Sequence, residues 1–239
     1  MSQFRYYRPD AFPPMVKNLI IINVLVYVVQ IVLDKQLHIT DLFALYPVDS
    51  PEFKPYQLVT HMFTHAPPPM FFHILFNMFM LWMFGRVLEN VWGGKRFLIF
   101  YLASGLGAAA CHLLIQHFRY DPELIRQLEQ AIAMHDEAAI RELASHAGFL
   151  SPAVGASGAI MGIMAAFAYT FPNTPLYIMF IPIPVKAKWA ILGLVAIDLF
   201  GGVGNLQGDN IAHFAHLGGA ITGFIIVVIW NKTNRKTLY

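Results

Sequence analysis

Six apolar stretches, at residues 18–33, 70–88, 97–115, 154–171, 189–203 and 211–230, make up nearly half of this chain and limit what it can fold into more than any motif does. Most approach the ~20 residues a helix needs to cross a ~30 Å hydrocarbon core. Backbone amides at that depth have no water to bond, so each stretch predicts a helix. Composition agrees: 57% of residues are hydrophobic, 13% are charged, and mean hydropathy is +0.54. These values fit a polytopic all-α membrane protein with the lipid bilayer as its solvent. The basic residues are scattered through the loops, which argues against nucleic acid as a partner. The single cysteine, Cys111, permits no intrachain disulfide.

The first stretch follows Arg5, Arg8 and Lys17 but lacks a small-residue cleavage pattern, and Asp34-Lys35 ends it, so it reads as a retained anchor. The fifth is short, carries Asp198, and follows a run at 176–185 that Pro182 and Pro184 break; that run reads as interfacial. Loop charges give an independent test of six spans. With a cytoplasmic N-terminus, the inner side holds Arg5, Arg8, Lys17, Arg86, Lys95, Arg96, Lys186, Lys188, Lys232, Arg235 and Lys236. The outer side holds Lys35, Lys54, Arg119, Arg126 and Arg141, all in two long loops. The bias favours this orientation, with both termini cytoplasmic. Omitting the fifth span would put Lys232, Arg235 and Lys236 outside.

In this topology the second, fourth and sixth helices all start at the outer face, and His73, Ser157 and His216 each fall within a turn or two of that start. Asn77 shares the face of His73, four residues on. Polar side chains at such depth are costly and usually functional. Ser157 lies in Gly155-Ala156-Ser157-Gly158-Ala159, and Gly219 and Gly223 lie near the azimuth of His216, so the histidine projects from a groove without side chains. Gly158 and Gly162 form a matching small-residue pair on the fourth helix. Packing these faces together would bring Ser157 Oγ to the imidazole, a base that serine needs to act as a nucleophile.

The ordered set His73-xxx-Asn77, Gly85-xxx-Glu89, Gly155-Ala156-Ser157-Gly158 and Ala215-His216-xx-Gly219-xxx-Gly223 resembles the rhomboid intramembrane serine proteases, over roughly residues 17–230. The resemblance implies a six-transmembrane-helix bundle, a single membrane domain over 1–239, and a Ser157/His216 catalytic dyad without cofactor or metal. It further implies an oxyanion hole formed by the backbone N–H of Ser157 with His73 and Asn77. The expected substrates are single-span membrane proteins, with helices loosened by Gly, Ala or Pro, cleaved from the outer face.

Three features depart from the family pattern. Tyr56-Gln57 stands where many relatives carry Trp-Arg in the first outer loop, and Met161 stands where an aromatic ring often packs on the catalytic imidazole. An extramembrane insertion at 119–147 separates the third and fourth helices. It reads as two short amphipathic helices started by Asp121-Pro122 and Asp136-Glu137, a solvated hairpin or an outer lid. The loop at 35–69 reads as a half-submerged interfacial hairpin, and Gly201, Gly204 and Gly208 as a mobile cap before the sixth helix.

Other polar residues carry weaker readings. His61 and His65 have zinc-like spacing but no third ligand. His213 competes with His216 as the base, Asp198 reads as a carboxylate facing water with orientation of an imidazole as the alternative, and Ser104 and Gly105 read as packing residues. Two other functions share the membrane class: a non-catalytic rhomboid-like binder or chaperone of transmembrane clients, and a proton-relay transporter, for which no inverted repeat is evident. Compactness and the lack of a targeting signal suggest a bacterial inner membrane.

Overall fold

The computed structural model describes residues 9–146, 151–177, 183–203 and 210–233. Among the described residues, four helices are long and apolar enough to cross a membrane: α1 (Pro14–Leu37), α4 (Phe71–Trp92), α5 (Gly94–Arg119) and α10 (Asn210–Thr233). Two shorter apolar helices complete the bundle, α8 (Ser157–Thr170) and α9 (Ala187–Val203). A two-stranded ribbon, β1 (Pro175–Leu176) with β2 (Val185–Lys186), joins them.

The fourth stretch folds differently from a full-length span. Its helix has 14 residues, about 21 Å long. Residues Gly158 to Met164 are all buried, so α8 is sheathed by α4, α5 and α10 rather than by lipid. The chain reaches it in extended form because residues 153 and 155 bond to the loop between α1 and α4: Leu45 and Ala153 exchange two backbone bonds of 2.9 Å, and Gly155 N–H donates to His61 O at 2.8 Å. Ser157 therefore starts its helix recessed behind a loop. On the opposite side of the core, aromatic rings lock the helices, with Phe84 on Phe167 at 4.9 Å and Trp92 between Phe100 and Trp230.

The first helix begins at Pro14, earlier than the apolar run, because a distant carboxylate caps it. Glu89 on α4 is buried, and its two oxygens accept from Met15 N–H at 2.8 Å and Val16 N–H at 2.7 Å. Pro14, with no N–H, suits the first helical position. Glu89→Ala would leave both amides without a partner at a cost of about 2 to 4 kcal/mol. The expected outcome is a clear fall in the thermal unfolding midpoint in detergent, with Glu89→Gln intermediate because its amide oxygen still accepts one bond.

The loop between α1 and α4 carries α2 (Ile39–Phe43), α3 (Gln57–Thr60) and a 3-10 turn (His61–Phe63). Gln57 is its fastener. The side chain is buried; Oε1 accepts from Lys54 N–H at 3.1 Å and Tyr46 N–H at 3.4 Å, while Nε2 donates to Glu52 O at 3.0 Å and Leu42 O at 3.5 Å. One neutral amide thus ties four points of the loop, whereas Tyr56 beside it is exposed.

The described part of the 119–147 insertion folds as α6 (Pro122–Ala133) and α7 (Glu137–His146). Asp121 accepts from Glu123 N–H and Leu124 N–H, and Asp136 accepts from Ala139 N–H, so each helix starts on an aspartate cap. Arg119, at the end of α5, donates to Gly202 O at 3.2 Å and lies over the Phe214 ring, joining that end of the bundle to α9 and α10. Pro182, Gly204 and Gly208, cited above for an interfacial run and a cap, lie outside the described residues.

Candidate active site

Glycines bring Ser157 and His216 together. A Cβ on Gly219 would fall on the Gly158 carbonyl, and one on Gly223 would lie 2.5 Å from Gly162 Cα, so α10 and α8 touch backbone to backbone. Gly162 also faces Ser104 on α5, where a Cβ would stand 2.5 Å from the serine side chain. The third helix contributes more than the sequence suggested: Gly218 on α10 packs over Gly107 O and Cys111, and Gly107 meets Thr222. Gly105 receives the side chain of Met62 from the loop between α1 and α4. Such approaches suit helix contacts in which lipid offers no hydrophobic driving force.

Across that seam, Ser157 Oγ and His216 Nε2 are 2.8 Å apart. Gly155 shapes the turn before the serine for two separate reasons. Its φ of +122° is a region side chains rarely adopt, and a Cβ there would stand 2.9 Å from His73 Cε1. A cavity of about 320 Å³ opens beside these residues; its walls include His61, Met62, His73, Gly155, Ser157 and His216.

His73 is oriented from behind. Its Nδ1 accepts from Ala66 N–H at 3.1 Å, so the proton of the neutral ring sits on Nε2, the edge that lies against Gly155. His65 packs edge-on against it at 5.3 Å and is itself held from α1: Asn23 Oδ1 is 2.9 Å from His65 Nε2, and Gln30 bonds both the N–H and the C=O of His65. Asn77 is buried, and its Nδ2 donates to His73 O at 2.7 Å. It is not among the residues that line the cavity.

His61 and His65 do not face a common ligand. The Nδ1–H of His61 donates to Gln57 O at 2.7 Å, and the His65 ring is turned to Asn23. Burial lowers the pKa of His61 to about 4 and that of His65 to about 3, so both rings are neutral near pH 7. No group of three metal-ligating side chains occurs among the described residues.

Asp198 departs from the first of its two sequence readings. It does not face water: its side chain is only 12% exposed, and Oδ1 lies 2.8 Å from His213 Nδ1 and 3.1 Å from His216 Nδ1. The reason is that His213 and His216, three residues apart on α10, present one face to α9. The only clue was an acidic residue in an otherwise apolar segment. The same geometry removes His213 as the base toward Ser157, because its Nε2 is packed against Gly201, where a Cβ would stand 2.7 Å away. Met161 lies in the hydrophobic core and is 7% exposed.

A family model described as Rhomboid domain matches residues 52–232. Rhomboid protein 1, mitochondrial, of Saccharomyces cerevisiae is 28% identical over 155 residues, covering 65% of this chain and 37% of that protein. Presenilin-associated rhomboid-like protein, mitochondrial, of Homo sapiens is 30% identical over 173 residues, covering 70% and 37%. RHOMBOID-like protein 12, mitochondrial, of Arabidopsis thaliana is 29% identical over 179 residues, covering 74% and 46%. The chain thus spans less than half the length of these relatives. All three are mitochondrial by name and lend no support to a bacterial inner membrane. With its long apolar helices and a family match across most of its length, this chain is an integral membrane protein that belongs to the rhomboid family.

Proposed function

We propose that this chain is an intramembrane serine endopeptidase that hydrolyses peptide bonds in or near transmembrane segments of single-span proteins. The observation that carries the reading is the 2.8 Å contact between Ser157 Oγ and His216 Nε2 beside an open cavity. In this mechanism Ser157 attacks the carbonyl carbon while His216 Nε2 takes the hydroxyl proton. The same nitrogen then protonates the leaving amine, and the acyl-serine is released when His216 draws a proton from an attacking water. Six spans belong to the same proposal: α8 and α9 join the four long helices, both termini face the cytoplasm, and the cavity opens to the outer side with the α6–α7 hairpin.

The developing oxyanion would be received by Ser157 N–H and His73 Nε2–H, with the second N–H of Asn77 Nδ2, whose first donates to His73 O, as a further donor. The tautomer fixed by Ala66 supports this role for His73, since only its Nε2 carries a proton to give. His73→Ala is expected to lower kcat about 10²- to 10³-fold with a much smaller change in KM. Steady-state cleavage in proteoliposomes measures both.

The reading itself is tested by comparing wild type with Ser157→Ala in detergent and in liposomes on a fluorogenic single-span substrate. Cleavage by wild type alone is the expected result. Equal cleavage by both would overturn the assignment of Ser157, and no cleavage by either across several substrates would favour a client-binding protein.

A further inference from the structure

We propose that Asp198 is a positioning residue for His216, and that His213 holds Asp198 in place for that task. The inference rests on the peptidase reading and extends its Ser–His pair to a third and a fourth side chain. Asp198 on α9 is largely buried, and a single oxygen, Oδ1, lies within hydrogen-bond distance of both Nδ1 atoms, 2.8 Å from His213 and 3.1 Å from His216.

A carboxylate only accepts hydrogen bonds, so each Nδ1 that faces it carries a proton. For a neutral imidazole this leaves Nε2 with its lone pair. In His216 that is the nitrogen 2.8 Å from Ser157 Oγ. Asp198 therefore selects the one tautomer of His216 that can take the serine proton. In the other tautomer Nε2–H would point at the hydroxyl and no base would be present. The carboxylate also fixes the plane of the ring, since Nδ1 and Nε2 are anchored at opposite edges. During the reaction it faces an imidazolium whose charge it balances.

His213 acts one step further back. Its Nδ1–H makes the shorter of the two contacts with Oδ1, and its far edge rests on Gly201, three residues beyond Asp198 on the same helix. A side chain at position 201 would push the ring away, so the glycine keeps His213 wedged between α9 and α10. With that ring on one side of Oδ1 and His216 on the other, the aspartate is held in one rotamer.

The test combines cleavage kinetics in proteoliposomes with ¹⁵N-histidine NMR of the same variants in detergent. Wild type should show His216 in the Nδ1–H tautomer. Asp198→Ala should lower kcat about 10²- to 10⁴-fold with KM within about twofold, and shift His216 to the Nε2–H tautomer. Asp198→Glu should recover part of the lost rate, because a carboxylate is again present. Retention of wild-type kcat by Asp198→Ala would overturn the proposal. So would a loss of cleavage with His216 still in the Nδ1–H tautomer, which would mark a purely structural aspartate. Ser157→Ala run alongside separates the two levels: if it cleaves like wild type the peptidase reading fails, whereas the tautomer of His216 still reports whether Asp198 orients the ring.

Discussion

Ser157→Ala and His216→Ala are each expected to lower turnover of a single-span substrate by at least about 10⁴-fold, with the double variant no slower than the slower of the two. The reason is that neither group works alone. Serine is a weak nucleophile until a base takes its proton, and the imidazole has nothing to activate once the hydroxyl is gone. At 2.8 Å the two atoms form one unit, and groups that act as a unit give grossly non-additive losses. The residual rate would come from binding and from the oxyanion donors, which both substitutions leave intact. Multiplying effects in the double variant would mean that the residues serve separate steps. In a client-binding protein, by contrast, all four forms would retain the client and none would cleave it.

The parts of this molecule written as local pattern were legible from the chain. Long apolar runs gave α1, α4, α5 and α10, and the aspartates at 121 and 136 marked two helix starts because a cap acts on amides two or three residues away. The register of Gly158 and Gly162 against Gly219 and Gly223 was also readable, since helical periodicity alone puts each pair on one face. The place of Asp198 could not be settled from the chain because its partners lie 15 and 18 residues on, and only the packing of α9 on α10 brings them to one oxygen. The same holds for Glu89, which caps a helix more than 70 residues earlier, and for Gln57, whose four backbone partners leave no periodic signal in a loop. The support of His73 through His65 and Asn23 crosses from α1 to α4 and needs the whole bundle to exist.

Gly219→Val is expected to separate α10 from α8 and to remove most of the folded protein. Even the first carbon of a side chain at this position would fall on the Gly158 carbonyl, and Gly223 one turn on is also set backbone to backbone on Gly162. A clash with a flexible side chain is relieved by rotation. Here the obstacle is helix backbone, so relief requires the two helices to part along the seam that sets the distance from Ser157 to His216. Overpacking in a well-filled core costs about 1 to 3 kcal/mol and more where nothing can yield, and a displacement of about 1 Å at a reacting pair costs about 10² in rate even when the fold survives. The expected result is a fall of many degrees in the unfolding midpoint in detergent and a loss of cleavage beyond 10²-fold in whatever remains folded. Gly193→Ala on α9 is the matched control, because a Cβ there meets nothing within 4 Å, and it should leave both readings unchanged. A Gly219→Val protein that unfolds at the wild-type midpoint and cleaves within about threefold of its rate would show that α8 and α10 do not touch backbone to backbone.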